Sequence, residues 1–236
     1  MLTPQARLTL LSRTSWSGYI YIALLMAGIW PLARFFPSQP PGWSPAQVAQ
    51  YYAAHRDGIR TGMVLVLLGS MFYVPWTAIL AQLIARVEGR PGILTYCQII
   101  AGGCNVLLTA YPAGYWLLAA FRPERDPQLI QLINDISWSQ FLGVITPFYF
   151  VPISIAYAAL ADQADDPIIP RWAGWFNIWF EISLLPLVVI FWFHAGPFAW
   201  NGIFGFYLPF FIFFVWFFVM TWTIRRALPR LGEPVP

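Results

Sequence analysis

Residues 61–85, TGMVLVLLGSMFYVPWTAILAQLIA, separate Arg60 from Arg86 without a single charge. At ~1.5 Å of rise per helical residue, such a stretch reaches across a hydrocarbon core of about 30 Å. A backbone in lipid must satisfy its own hydrogen bonds, so the stretch reads as a membrane-crossing helix. Stretches of the same character over 16–35, 93–121, 137–161, 172–195 and 200–224 complete six spans in one integral membrane domain, 1–236. The expected fold class is all-α: a polytopic bundle of six transmembrane helices.

Charge content agrees with this reading. Only 10% of residues are charged, against about 25% in a soluble domain, too little to solvate a globule. Every basic residue is Arg, and the absence of Lys excludes Schiff-base chemistry. The arginines sit singly or in pairs at the ends of apolar stretches, which fits membrane anchoring and leaves no nucleic-acid-binding face. Placing Arg7, Arg13, Arg86, Arg90, Arg171, Arg225, Arg226 and Arg230 inside leaves Arg34, Arg56, Arg60, Arg122 and Arg125 outside. That asymmetry predicts a multi-pass protein of the cytoplasmic (inner) membrane with both termini cytoplasmic. The apolar run that follows Arg7 and Arg13 ends in Pro31 and Arg34 with no small-x-small cleavage site, so it is expected to persist as the first span.

Two loops carry helical patterns of their own. Ser44-Pro45 supplies an N-cap and a first-turn proline, and Val48, Tyr51, Tyr52 and Ile59 then fall on one stripe. Leu129, Leu132, Ile133 and Ile136 do the same in the loop before span four. Both segments read as short helices along the outer interface, or alternatively as extensions of spans two and four.

Glu181 is the first candidate for chemistry. It lies near the middle of span five, with no other charge between Arg171 and Arg225. An ionised group at that depth costs ~2.5–3.5 kcal/mol on insertion scales and is a functional hypothesis by default. Asn177 precedes it by one turn, and Asn105 sits near mid-depth of span three. Glu181, Asn177 and Asn105 are therefore the expected ligand contacts, or else an interhelical hydrogen-bonded pin. Proline occurs in every span, at Pro31, Pro75, Pro112, Pro147 with Pro152, Pro186 and Pro209. Helix breaks gathered at one depth are what a midplane cavity needs.

The remaining groups offer less. His55 and His194 are the only histidines and share no metal motif, so a metal or haem held between them is a minor expectation and no cofactor is expected. Cys97 and Cys104 lie seven residues apart in one helix, about 10 Å, too far for a disulfide. Trp16, Trp43, Trp116, Trp138, Trp172, Trp200 and Trp222 fall near span ends, as an interfacial belt requires. Span six is aromatic all round, and lipid contact is the expected reason.

SPAQVAQYYAAHRDGIR, FRPERDP, DDPIIPRW and GPFAWNG resemble, with most of the chain, a family of six-span bacterial membrane proteins to which no activity is assigned. The resemblance implies one bacterial membrane domain and transfers no site residue. Three functions follow from the residues. The first is a lipid-embedded protein that binds or carries a hydrophobic small molecule in a midplane cavity. The second is an accessory subunit of a larger membrane complex, and the third an isomerase-type enzyme working through the buried carboxyl. The expected partners are membrane lipids, a hydrophobic ligand and other membrane subunits.

Overall fold

The computed structural model describes residues 3–122 and 124–232, and among them it contains helices and no strand. Six helical runs are long and apolar enough to cross a membrane: Gln5–Leu32, Pro45–Val87, Ile93–Phe121, Pro127–Ala161, Arg171–Trp192 and Ile203–Leu231. The protein is a multi-pass membrane helix bundle.

Several of these runs begin earlier than the apolar stretches alone suggest, because capping chemistry starts the helix outside the apolar segment. Helix α1 (Pro4–Thr14) is capped by Thr3, whose hydroxyl accepts from the Ala6 N–H. It turns at Ser15 and Trp16 into α2 (Ser17–Ala27). Helix α3 (Pro45–Ser70) opens with a capping box: Ser44 Oγ accepts from Gln47 N–H, and Gln47 Oε1 accepts from Ser44 N–H at 2.8 Å. The segment read as an interfacial helix thus forms, but it runs into span two through a kink at His55 (φ −115°, ψ 16°). Likewise α6 (Pro127–Trp138), capped by Asp126, leads directly into span four.

The prolines divide into two groups. Pro31 lies in a π-helical turn, Gly28–Leu32, and α3 gives way to α4 (Tyr73–Val87) just before Pro75. Span four leaves α6 through a π-turn (Ser139–Gly143) and a 3-10 turn (Thr146–Tyr149) before α7 (Phe150–Ala161). In span five, α8 (Arg171–Leu184) gives way to 3-10 turns over Leu185–Trp192, beginning beside Pro186. Span six starts as a π-turn (Ile203–Tyr207) and becomes α9 (Leu208–Gly232) at Pro209. Pro112 does not conform: α5 (Ile93–Phe121) runs through it as one helix. A lone proline removes one donor, and a long, well-packed helix absorbs that loss.

Packing against α3 is backbone to backbone. A Cβ on Gly62 would collide with the Gly28 carbonyl, and one on Gly58 with the Leu32 carbonyl. These glycines let the first span seat directly on α3, as small residues do between membrane helices.

Much of the aromatic content is internal. Phe206, Trp216 and Phe217 of span six are fully buried, while Phe211, Phe218 and Trp222 face outward. Trp116 and Trp138, expected in the interfacial belt, are instead wholly buried and meet edge-on at 4.9 Å, with Phe35 5.0 Å from Trp116. The helices extend past these indoles, so positions that look terminal in the hydropathy pattern lie inside the bundle.

The face carrying residues 88–92 and 162–170 is tied by polar contacts. Glu88 accepts from the N–H groups of Gly92, Leu94 and Thr95 and from the Thr95 hydroxyl, capping α5. What burial there is pulls its carboxyl upward, but these hydrogen bonds prevail and hold it below the ordinary carboxylate range. Arg230 pairs with Asp166, which lowers that carboxyl, and Arg86 donates to the Arg230 carbonyl at 2.8 Å. Arg225 donates to Ser15 Oγ at 2.8 Å and lies 4.2 Å from the Trp16 ring centroid.

Candidate functional site

The helix breaks of spans four, five and six converge on one cavity. Ile145, Phe148, Leu184, Leu187 and Pro209 line it from the broken segments, and Tyr21, Tyr73, Asn105 and Thr109 from the regular helices opposite. Its volume is about 70 Å³, smaller than the ~150 Å³ apolar cavity that holds benzene in an engineered protein. It suits the end of a ligand rather than a whole one.

The polar pole of this cavity is Asn105. It is 3% exposed, its Nδ2 donates to the Tyr73 hydroxyl at 2.9 Å, and its Oδ1 has no hydrogen-bond partner. A buried carbonyl without a donor costs about 1–3 kcal/mol. Oδ1 is therefore the natural acceptor for a donor on an incoming molecule.

The structure does not gather the three expected contacts into one site. Asn177 and Glu181 border a separate groove of about 560 Å³ between α7 and α8, with Pro152, Ala156 and Leu160 on its far wall. Both ends of the Asn177 amide are engaged. Its Oδ1 accepts from Trp216 Nε1 at 2.9 Å, and its Nδ2 donates to the Ala173 carbonyl at 2.7 Å and reaches Met220 Sδ at 3.4 Å. It pins α8 to α9. Trp216, with Phe180 stacked on it at 4.8 Å and Phe148 edge-on at 5.5 Å, forms the aromatic wall behind this pin. Span five thus meets span six at the depth where the sequence reading had it meeting span three.

Glu181 is half-buried, and its Oε2 is buried without a partner. The Tyr149 phenol lies within its electrostatic reach but donates to the Leu184 carbonyl at 3.2 Å. Trp175, Trp179 and Ile182 project outward from the same helix. The carboxyl therefore borders the α7–α8 groove, on a helix that also carries an exposed aromatic face.

A third space lies at the opposite end of the bundle from Glu88. This vestibule, about 720 Å³, is walled by Trp30, Phe36, Trp43, Tyr51 and Tyr207, with Arg34, Ser38, Gln39, His55 and Asn201 among its polar groups. Its size is within the usual range of small-molecule sites. Gln39 holds the wall together: its Oε1 accepts from Trp138 Nε1 and its carbonyl from Trp200 Nε1, both at 2.8 Å. Arg34 has φ +57°, a left-handed conformation that costs a non-glycine residue ~1–3 kcal/mol. It is held there by the Tyr51 hydroxyl, which donates to its carbonyl at 2.6 Å. Sequence reasoning passed over this site. Its only signal was the aromatic and proline density of 35–43, which reads equally as a rigid loop.

Between vestibule and cavity stand two rings in contact. Phe36 faces the vestibule, Phe210 faces the cavity, and their centroids are 5.4 Å apart.

His55 lines the vestibule, and its Nδ1 donates to the Tyr51 carbonyl at 3.0 Å. His194 lies instead within electrostatic reach of Asp135. Among the described residues no three His, Cys, Asp or Glu side chains gather to hold a metal, and Cys97 and Cys104 are free thiols. Comparison of the chain with family models, with curated proteins and with solved structures returned no match.

Proposed function

We propose that the protein binds or carries a hydrophobic small molecule, whose body occupies the vestibule and whose tip, bearing one hydrogen-bond donor, enters the midplane cavity. The observation that carries this reading is the Phe36–Phe210 ring pair between a ligand-sized vestibule and a cavity with an unpartnered acceptor. Rotation of one or two rings joins the two spaces, a side-chain motion that needs no helix rearrangement. On this reading the helix breaks serve to widen the bundle at that depth. The arginine asymmetry and the family resemblance support a bacterial cytoplasmic membrane as its site, with both termini inside.

The test is a native mass spectrum of the particle extracted gently from its host membrane. A constant non-protein mass retained by the wild-type chain and lost from Phe210→Trp supports the reading. A bare chain from several extraction conditions overturns it. The accessory-subunit reading has its own support in the unpartnered Glu181 Oε2 beside an exposed Trp175 and Trp179. Polypeptides attached at fixed stoichiometry, released by Glu181→Leu, would favour it.

A further inference from the structure

We infer that the vestibule selects an anionic head group, phosphate or carboxylate, carried on a flat apolar body. This deepens the proposed function and rests on it for the location of the ligand.

Among the residues that line the vestibule Arg34 is the only one with a permanent charge, and there is no Asp or Glu. Arg34 is exposed, and among the described residues its guanidinium has no hydrogen-bond or ion-pair partner, the one ion pair there being Arg230–Asp166. An adjoining recess shares Arg34 and His55 and adds Arg56 and Asp57. No ion pair joins Asp57 to Arg34, so the guanidinium remains available. Arginine is suited to such oxyanions because its planar fork offers two parallel N–H donors.

The second observation is independent of the first. Gln39 is 3% exposed and lines the vestibule, and its Nε2 is buried with no hydrogen-bond partner. Its Oε1 is committed to Trp138 Nε1, which fixes which end of the amide carries the free N–H groups. The Tyr51 hydroxyl donates to the Arg34 carbonyl and its oxygen can still accept one hydrogen of that amide, which leaves the second amide N–H without an acceptor. A buried NH₂ group lacking an acceptor is answered best by an oxyanion. Arg34 and Gln39 thus present donors to one space, and Trp30, Trp43 and Tyr207 offer ring faces to an apolar body.

Such a head group has two sources, a bilayer lipid or a soluble amphiphilic anion, and one set of experiments separates them. Purified protein is placed in nanodiscs of phosphatidylcholine or of phosphatidylglycerol, and binding of 2-naphthoate and of neutral 2-naphthamide is measured in each. Expected in phosphatidylcholine is at least a tenfold preference for naphthoate, falling below twofold in Arg34→Gln and unchanged in Arg60→Gln, a control of equal net charge. Gln39→Glu keeps the acceptor for Trp138 and puts a carboxylate where the NH₂ was, so it too should abolish the preference. If phosphatidylglycerol displaces naphthoate, the resident ligand is a lipid; if naphthoate binds equally in both discs, it is a soluble anion. Either result supports the anion site. Equal binding of naphthoate and naphthamide to wild type, or a preference untouched in Arg34→Gln, overturns it while leaving the proposed function standing. Binding of neither probe, with no phosphatidylglycerol retained in native mass spectra, overturns both.

Discussion

If Asn105 is kept for a ligand rather than for the fold, removing its polar group together with that of Tyr73 should leave the bundle about as stable as before, or make it more stable. The pair contributes one interhelical hydrogen bond, Asn105 Nδ2 to the Tyr73 hydroxyl at 2.9 Å. Bonds of this kind within membranes average about 0.6 kcal/mol and reach about 1.7. Against it stands Asn105 Oδ1, buried without a donor, at a cost of about 1–3 kcal/mol. The double variant Tyr73→Phe/Asn105→Leu removes both terms, so the expected change runs from about 0.7 kcal/mol of destabilisation to about 2.4 kcal/mol of stabilisation, with its centre on the stabilising side. Asn105→Leu alone strands the Tyr73 hydroxyl and should fall below the double variant by ~1 kcal/mol. Unfolding by SDS in mixed micelles would give these differences, and the bound mass in native spectra would report the ligand. Loss of the ligand with no loss of stability is the signature of a site residue. A double variant destabilised by more than ~2 kcal/mol would refute the reasoning, because Oδ1 must then have a structural partner.

Three further outcomes follow from the packing and capping. Gly62→Val drives a side chain into the Gly28 carbonyl and should cost ~1–3 kcal/mol, whereas Gly103→Val, with open space at its Cβ, should stay within ~0.5; SDS unfolding of both would show it. Glu88 is held below its ordinary value, so its stabilisation is present above the unfolded carboxyl value of about 4.3 and is lost as pH falls through the lower folded value. A melting series over that acid range should therefore slope in wild type and flatten in Glu88→Gln. Glu181→Leu should leave the melting temperature of the isolated protein unchanged or raised, since Oε2 has no protein partner; a fall would show that it has one.

The bundle itself was legible in the sequence because long apolar runs admit one solution in lipid. Helix starts were legible where a cap was written locally, as at Ser44-Pro45, though the reciprocal bond from Gln47 was not read. Pro147, Pro186 and Pro209 marked real departures from α-helix, while Pro112 did not, because a proline's effect depends on what its helix packs against. The site was legible only in pieces. Asn105 was singled out and does face the midplane cavity, but which helix it meets is a tertiary fact, and its partner is Tyr73. Asn177 and Glu181 share a helix face as their spacing required, yet that face meets α7 and α9. Arg34 and Gln39 looked like loop residues, because neither a left-handed backbone at Arg34 nor a buried, half-satisfied amide at Gln39 leaves a periodic trace.

The central claim is that vestibule and cavity communicate across the Phe36–Phe210 ring pair, and cysteine accessibility tests it most directly. Thr109, which lines the cavity, is changed to Cys in a background where Cys97 and Cys104 are Ala, and modification by a small charged thiosulfonate is timed. The account predicts slow labelling when Phe210 is present, at least tenfold faster labelling in Phe210→Ala, and protection of that variant by an amphiphile seated in the vestibule. Labelling at the same rate with and without the Phe210 ring would contradict it.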